Sequence, residues 1–270
     1  MMVRHLDNAT MDRPDLPSAL ACADDIERRI GRASLAIFLD YDGTLTPIVA
    51  RPEIATLSDD MRRVLLDLCA RYPVAILSGR DLVDLKRMVP VEGLVYAGSH
   101  GFDVDAPAEL GGRMRRGQEF AERLAAARAR LKKAVAPIPQ AWVEDKALAV
   151  TLHFRQVSRE DVPAVETTFA EVAAAFPDLR RTAGKKVLEL RPGIEWDKGK
   201  ALLMLLERID CSGPHFPLYV GDDETDEDAF RALAGRGIGI RVGDPHLVSA
   251  AEYSLADTGE VARCLRRLAS

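Results

Sequence analysis

Five short apolar runs, each stopping abruptly at a polar or turn residue, constrain this chain more than any other feature. Leu35-Ala-Ile-Phe-Leu39 runs into Asp40, and the same shape returns at Val74-Ala-Ile-Leu77, Leu94-Val-Tyr-Ala97, Leu218-Tyr-Val220 and Ile238-Gly-Ile-Arg-Val242. A continuous run of this length between turn signals suits a strand covered on both faces. Helical patterns occupy residues 18–32, 58–72, 81–89, 197–209, 226–234 and 258–269. Strand alternating with helix predicts an α/β fold built on a doubly wound parallel sheet. With 270 residues, 47% of them apolar, the chain can bury such a core and a smaller companion as well.

The middle of the chain departs from that rhythm. Residues 118–135 read as a helix with Phe120, Leu124, Ala127, Leu131 and Val135 on one stripe. Residues 141–144 and 147–155 read as a hairpin whose second strand puts Leu148, Val150, Leu152 and Phe154 on one face and Thr151, His153 and Arg155 on the other. A second helix over 159–176 and a second hairpin over 179–182 and 187–191 complete an α-β-β pattern made twice. The expected division is therefore an N-terminal extension with a helix over 1–33, a core from 34–104 and 193–270, and an inserted α+β unit over 105–192.

Four segments carry chemistry. Asp40-Tyr-Asp42-Gly43-Thr44 follows an apolar strand, and open α/β sheets place their ligands at such strand ends. Two carboxylates at i and i+2 can meet one cation, Gly43 permits a sharp turn, and Thr44 adds a hydroxyl. A calcium loop of the EF-hand kind needs its Gly at position six and a Glu at twelve, which this spacing does not supply. Ser78, ending the second strand run, suits either an anion contact or a helix N-cap. Lys198, opening a helix after Trp196-Asp197, sits where a cation beside free amides can neutralise a phosphoryl group, or can simply be solvated. Asp222, Asp223, Glu224, Asp226, Glu227 and Asp228 crowd the last segment. A helix dipole offsets only about 0.3–1 kcal/mol per acid, so a divalent cation is the stronger explanation.

The formal charge of -5 gives no basic field, and no Lys/Arg run is interleaved with aromatic residues. Nucleic acid is not an expected partner. Cys22, Cys69, Cys211 and Cys264 lie far apart, which argues for a reducing compartment. The first seventeen residues are charged rather than apolar, and no later run is long enough to span a bilayer, so a cytoplasmic protein with no membrane contact and no obligate protein partner is expected.

Taken together and in this order, the four segments resemble the signature motifs of the haloacid dehalogenase superfamily, whose core is Rossmann-like. That resemblance implies Asp40 as nucleophile, Asp42 as general acid and base, Thr44, Ser78 and Lys198 around the phosphoryl group, and Mg2+ held by Asp40, Asp42, Asp222 and Asp226. More narrowly, the segments 40–47, 97–101, 143–146, 153–155, 187–192 and 221–230 resemble the trehalose-6-phosphate phosphatase family. The insert is then implied to be a cap domain closing over a sugar phosphate, trehalose 6-phosphate being the small-molecule substrate. Arg80, His100, Glu144, Lys146 and Glu189 are implied to contact it, with Lys185 and Lys186 as lesser candidates. Charged residues alternating along a strand are also what a wet sheet face looks like. Phosphatases for other sugar phosphates, a phosphomutase and a non-catalytic sugar-phosphate sensor remain open.

Overall fold

The computed structural model describes residues 15–49, 51, 54–184 and 186–270; the expectations for residues 1–14 and for Lys185 lie outside these. An eight-stranded sheet dominates, in the order β12-β11-β10-β1-β2-β3-β4-β5. Its parallel strands are β1 (Ser34–Leu39), β2 (Val74–Leu77), β3 (Val95–Gly98), β10 (His215–Gly221), β11 (Ile238–Val242) and β12 (Tyr253–Leu255). The strands end nearly level, because Leu39 stands opposite Val220 on one side and Ile76 on the other, while Leu77 faces Ala97. Asp40, Ser78, Ser99 and Asp222, each just past a strand end, therefore emerge along one edge.

Alternation along β1 explains the two helical layers. Leu35, Ile37 and Leu39 pack with α1 (Ala23–Ile30), α2 (Asp59–Cys69), α3 (Leu82–Met88) and α8 (Thr258–Leu268). Ala36 and Phe38 pack on the other face with α6 (Lys198–Ile209) and α7 (Asp226–Leu233). Phe38 is wholly buried, and truncating it to Ala would cost about 3–5 kcal/mol.

The sequence expectation falls short in three places. The core sheet continues past residue 104: β4 (Asp103–Asp105) and β5 (Arg113–Arg115) add an antiparallel hairpin to its edge. These strands are three residues long and mostly charged, so they carry no apolar run to read. Likewise β12 was not anticipated, being Tyr253-Ser-Leu255 alone. The first helix begins at Ala23 rather than at residue 18, because residues 17–19 run alongside β12, with Ala19 N–H donating to the Ser254 carbonyl (2.8 Å) and Ser254 N–H to that of Pro17 (2.9 Å).

Residues 121–192 build a second, antiparallel sheet in the order β6-β7-β9-β8, from β6 (Trp142–Asp145), β7 (Val150–His153), β8 (Leu179–Gly184) and β9 (Val187–Pro192). One face holds a core of its own: Val150, Leu152 and Leu190 meet Leu124 and Leu131 of α4 (Ala121–Val135) and Val165 and Phe169 of α5 (Val162–Ala174). Its other face carries Thr151, His153, Glu189 and Arg191 and looks onto the strand ends of the large sheet across a cavity. Among the described residues no helix is long and apolar enough to cross a membrane, and the four cysteines are free thiols.

Candidate active site

The Asp197 side chain caps α6, accepting from Lys200 N–H at 2.8 Å, and so fixes the next residue, Lys198, at the mouth of the strands. Lys198 Nζ lies 2.7 Å from Asp40 Oδ1 and 2.6 Å from Asp226 Oδ1, with the ammonium almost wholly buried. Burial opposes its charge, but Asp226 and Asp40 outweigh burial and hold its pKa well above the ordinary lysine value. Burial pushes the Asp40 carboxyl well up; repulsion from Asp226, Asp222 and Asp223 adds to it and the attraction of Lys198 does not cancel it.

Asp226 has its acceptor positions taken. Oδ1 accepts from Lys198 and from Tyr219 OH (2.5 Å), and Oδ2 from the backbone N–H groups of Asp222 (2.8 Å) and Asp223 (2.9 Å). Asp40, Asp222 and Asp226 nonetheless bring one carboxylate oxygen each to within 4.8 Å of one another. Gly43, at φ +84°, makes the approach possible: a Cβ there would lie 2.4 Å from the Asp222 carboxylate. All three acids are buried, and an all-oxygen donor set of this kind fits a hard divalent cation.

Asp42 points elsewhere. Its carboxylate is not one of that group; it meets the Arg80 guanidinium side by side, Nε to Oδ2 at 2.7 Å and Nη2 to Oδ1 at 2.6 Å. Arg80 in turn lies over the Tyr41 ring, 5.2 Å from its centroid. Ser78 is buried, and its hydroxyl accepts from Arg80 N–H at 3.2 Å, shaping the loop before α3 rather than capping the helix. Thr44 is buried with no partner for its hydroxyl among the described residues.

On the opposite wall, Lys146 Nζ lies 3.4 Å from Glu189 Oε2 and 3.5 Å from Glu144 Oε2, and Glu144 also meets His153 Nε2 at 2.7 Å. Thr151 Oγ1 and Arg191 Nε donate to the two oxygens of Glu189. Burial works against the charge of Glu189, but Lys146 and Arg191 more than offset it and hold its pKa well below the ordinary carboxylate range. Lys146, likewise penalised by burial, is raised by Glu189 and Glu144.

His100 joins the two walls. Its backbone N–H donates to the Ser78 carbonyl at 2.8 Å, and its Nε2 accepts from Arg191 Nη2. An imidazole that accepts from a guanidinium is neutral with its proton on Nδ1, and burial first, then Arg191, holds its pKa well below the ordinary value. Ser99, His100 and Gly101 all have positive φ, at 50°, 56° and 86°. Two left-handed non-glycine residues cost about 1–2 kcal/mol each, and strain of this kind concentrates at functional sites.

A cavity of about 250 Å³ separates the walls. Asp40, Asp42, Ser78, Arg80, His100, Glu144, Lys146, Glu189, Lys198 and Asp222 all border it, whereas Thr44 and Asp226 are not part of its lining. Asp223 of the acidic run borders it too, as do Arg191, Thr151 and His153, for which the sequence suggested no role. Glu189 and Arg191 alternate along β9, and Thr151 stands opposite Glu189 in the neighbouring strand, so the two-residue period was the available signal. Lys186 is exposed, with Nζ over the Phe154 ring at 5.6 Å, and takes no part in the cavity.

A family model for trehalose-phosphatases matches residues 38–258. The chain belongs to the trehalose-phosphatase family. Trehalose-phosphate phosphatase B of Arabidopsis thaliana is 38% identical over 264 residues, spanning 93% of this chain and 71% of that one. A solved structure described as a trehalose-6-phosphate phosphatase related protein superposes with a TM-score of 0.76 at 26% identity, covering 87% of this chain and 96% of its own. The fold is that of haloacid dehalogenase-like hydrolases: one from Bacteroides thetaiotaomicron superposes with a TM-score of 0.61 at 18% identity, over 87% of this chain and 99% of its own. As a family member the chain is a phosphatase, and the gathered acids, the buried lysine and the cavity are where a phosphate ester and a divalent metal are to be sought.

Proposed function

We propose that this phosphatase hydrolyses trehalose 6-phosphate to trehalose and inorganic phosphate through a phospho-aspartate on Asp40, with Mg2+ as its metal. The observation that carries the reading is the Asp40–Lys198 pair, set beside Asp222 at the strand ends and facing a wall of charged side chains suited to sugar hydroxyls.

Asp40, Asp222 and the backbone carbonyl of Asp42 would hold the ion. Its positive charge offsets the repulsion between an anionic nucleophile and an anionic ester. Asp226, with all four acceptor positions engaged, orients Lys198 and the amides of residues 222 and 223. Asp40 attacks phosphorus in line, the bond from phosphorus to the sugar oxygen breaks, and Asp42, once freed from Arg80 and carrying a proton taken up from water, delivers it to that oxygen. Asp42 then takes a proton from the water that cleaves the acyl phosphate. Ser78 and Lys198 hold phosphoryl oxygens throughout, and Thr44 supports the turn from behind. An arriving ester whose oxygens accept from Arg80 releases Asp42 for proton transfer.

The unit on the far side of the cavity acts as a cap, its Glu144, Lys146 and Glu189 facing the sugar together with His100 from the core and excluding water. The β4–β5 hairpin continues the large sheet, which supports a cap that starts after residue 115. A cytoplasmic setting fits four free thiols.

Phosphate release across a panel of sugar phosphates, with and without magnesium, tests the proposal. Trehalose 6-phosphate is expected to be turned over fastest, and only with the metal. Preference for sucrose phosphate or a glycosyl-phosphoglycerate would reassign the substrate, isomerised sugar phosphate would indicate a mutase, and binding without turnover a sensor.

A further inference from the structure

Asp81 begins α3 in an extended conformation, the position from which an aspartate ordinarily caps its own helix, yet it makes no such bond. Its carboxylate reaches across the cavity rim instead. The backbone N–H of Ala147, in the turn between β6 and β7, donates to it at 3.0 Å to Oδ2 and 3.3 Å to Oδ1. Ser99 Oγ donates to Oδ1 at 3.1 Å. The residue before Ala147 is fastened as well, Lys146 Nζ donating to the Gly79 carbonyl at 3.2 Å. Two successive residues of one wall thus dock on the two residues that flank Arg80 in the other.

We propose that Asp81 is a positioning residue for the phosphatase, a latch that registers the Lys146–Ala147 turn against the Ser78–Asp81 loop when the cap closes. This rests on the function proposed above and extends it to a side chain that touches no substrate. Lys146 faces the sugar, and Gly79 and Asp81 belong to the core loop, so the latch sets sugar recognition in register with the core site. Burial raises the pKa of Asp81 while the donors from Ala147 and Ser99 pull it down; the carboxylate is thus partly desolvated, which makes its hydrogen bonds strong and their loss costly.

The test compares wild type with Asp81→Ala, Asp81→Asn and Ser99→Ala, on trehalose 6-phosphate and on p-nitrophenyl phosphate, a small aryl ester with no sugar for the cap to hold. Asp81→Ala is expected to lower kcat/KM for trehalose 6-phosphate by about 10- to 100-fold and leave aryl phosphate hydrolysis within about twofold. Asp81→Asn, which keeps one acceptor oxygen, recovers part of the loss, and Ser99→Ala has little effect. Equal losses on both esters, or no loss on either, would overturn the latch. Amide hydrogen exchange supplies a readout that does not depend on the substrate assignment: Ala147 N–H exchanges faster in Asp81→Ala, and an unchanged rate overturns the proposal. A wild type that hydrolyses the aryl ester and ignores trehalose 6-phosphate refutes the substrate alone, leaving the exchange measurement to decide the latch.

Discussion

Arg80 and Asp42 meet fork to fork, with two parallel hydrogen bonds of 2.7 and 2.6 Å, although 38 residues separate them in the chain. The guanidinium is nearly buried, while the carboxylate keeps 40% of its surface exposed on the cavity side. A lysine offers a point charge and cannot reproduce that geometry. Arg80→Lys is therefore expected to lower kcat/KM for trehalose 6-phosphate by about 10- to 100-fold, measured as phosphate release at saturating magnesium. An unchanged value would mean that neither Asp42 nor the arriving ester needs the guanidinium fork.

The acids near the metal position divide into two tasks. Asp226 accepts four hydrogen bonds, and in Asp226→Asn the amide NH2 has to face either Lys198 and Tyr219 or two backbone N–H groups, donors against donors in each case. This variant is expected to lose about 3–5 kcal/mol of stability, as buried pairs do when one partner is removed. Asp222→Asn is expected to keep its stability and to weaken magnesium binding at least about tenfold, since it removes one of few anionic ligands. Denaturant titration and calorimetric metal titration of the two variants check this, and the reverse pattern would exchange their roles.

Apolar runs were sufficient to locate the strands that matter most. Leu35 to Leu39, Val74 to Leu77 and Leu218 to Val220 each deliver a polar residue to the same edge, and Asp40, Ser78 and Asp222 follow from strand ends alone. Alternation exposed the cap face on which Thr151 and His153 stand, and the same reasoning applied to β9 leads from Glu189 to Arg191. The partner of Asp42 was not legible, because no local pattern links residue 42 to residue 80. Nor were the hydrogen bonds of Asp226 to Lys198, to the Tyr219 hydroxyl and to the amides of its own loop, since they join residues with no shared pattern. β4, β5 and β12 are three residues each, too short for periodicity to register.

His100 gives a pH dependence with a definite sign. The folded protein holds the ring neutral against Arg191, well below its ordinary value of 6.5, whereas the unfolded chain takes up a proton as pH falls through that value. The unfolded state then binds more protons, so stability declines as pH drops below 6.5, by up to about 1.4 kcal/mol per pH unit from this group. Asparagine tolerates positive φ, so His100→Asn keeps the backbone and removes the titration. Denaturation between pH 6.5 and about 5 is expected to show a shallower decline in His100→Asn than in wild type; identical slopes would show that His100 is protonated without cost.

Asp40→Asn tests whether Asp40 is the nucleophile. The substitution keeps the size of the side chain while removing the charge that attacks phosphorus. Phosphate release from trehalose 6-phosphate with magnesium is expected to fall by at least about 10³-fold while the substrate still binds. Release at the wild-type rate from that variant would contradict the account.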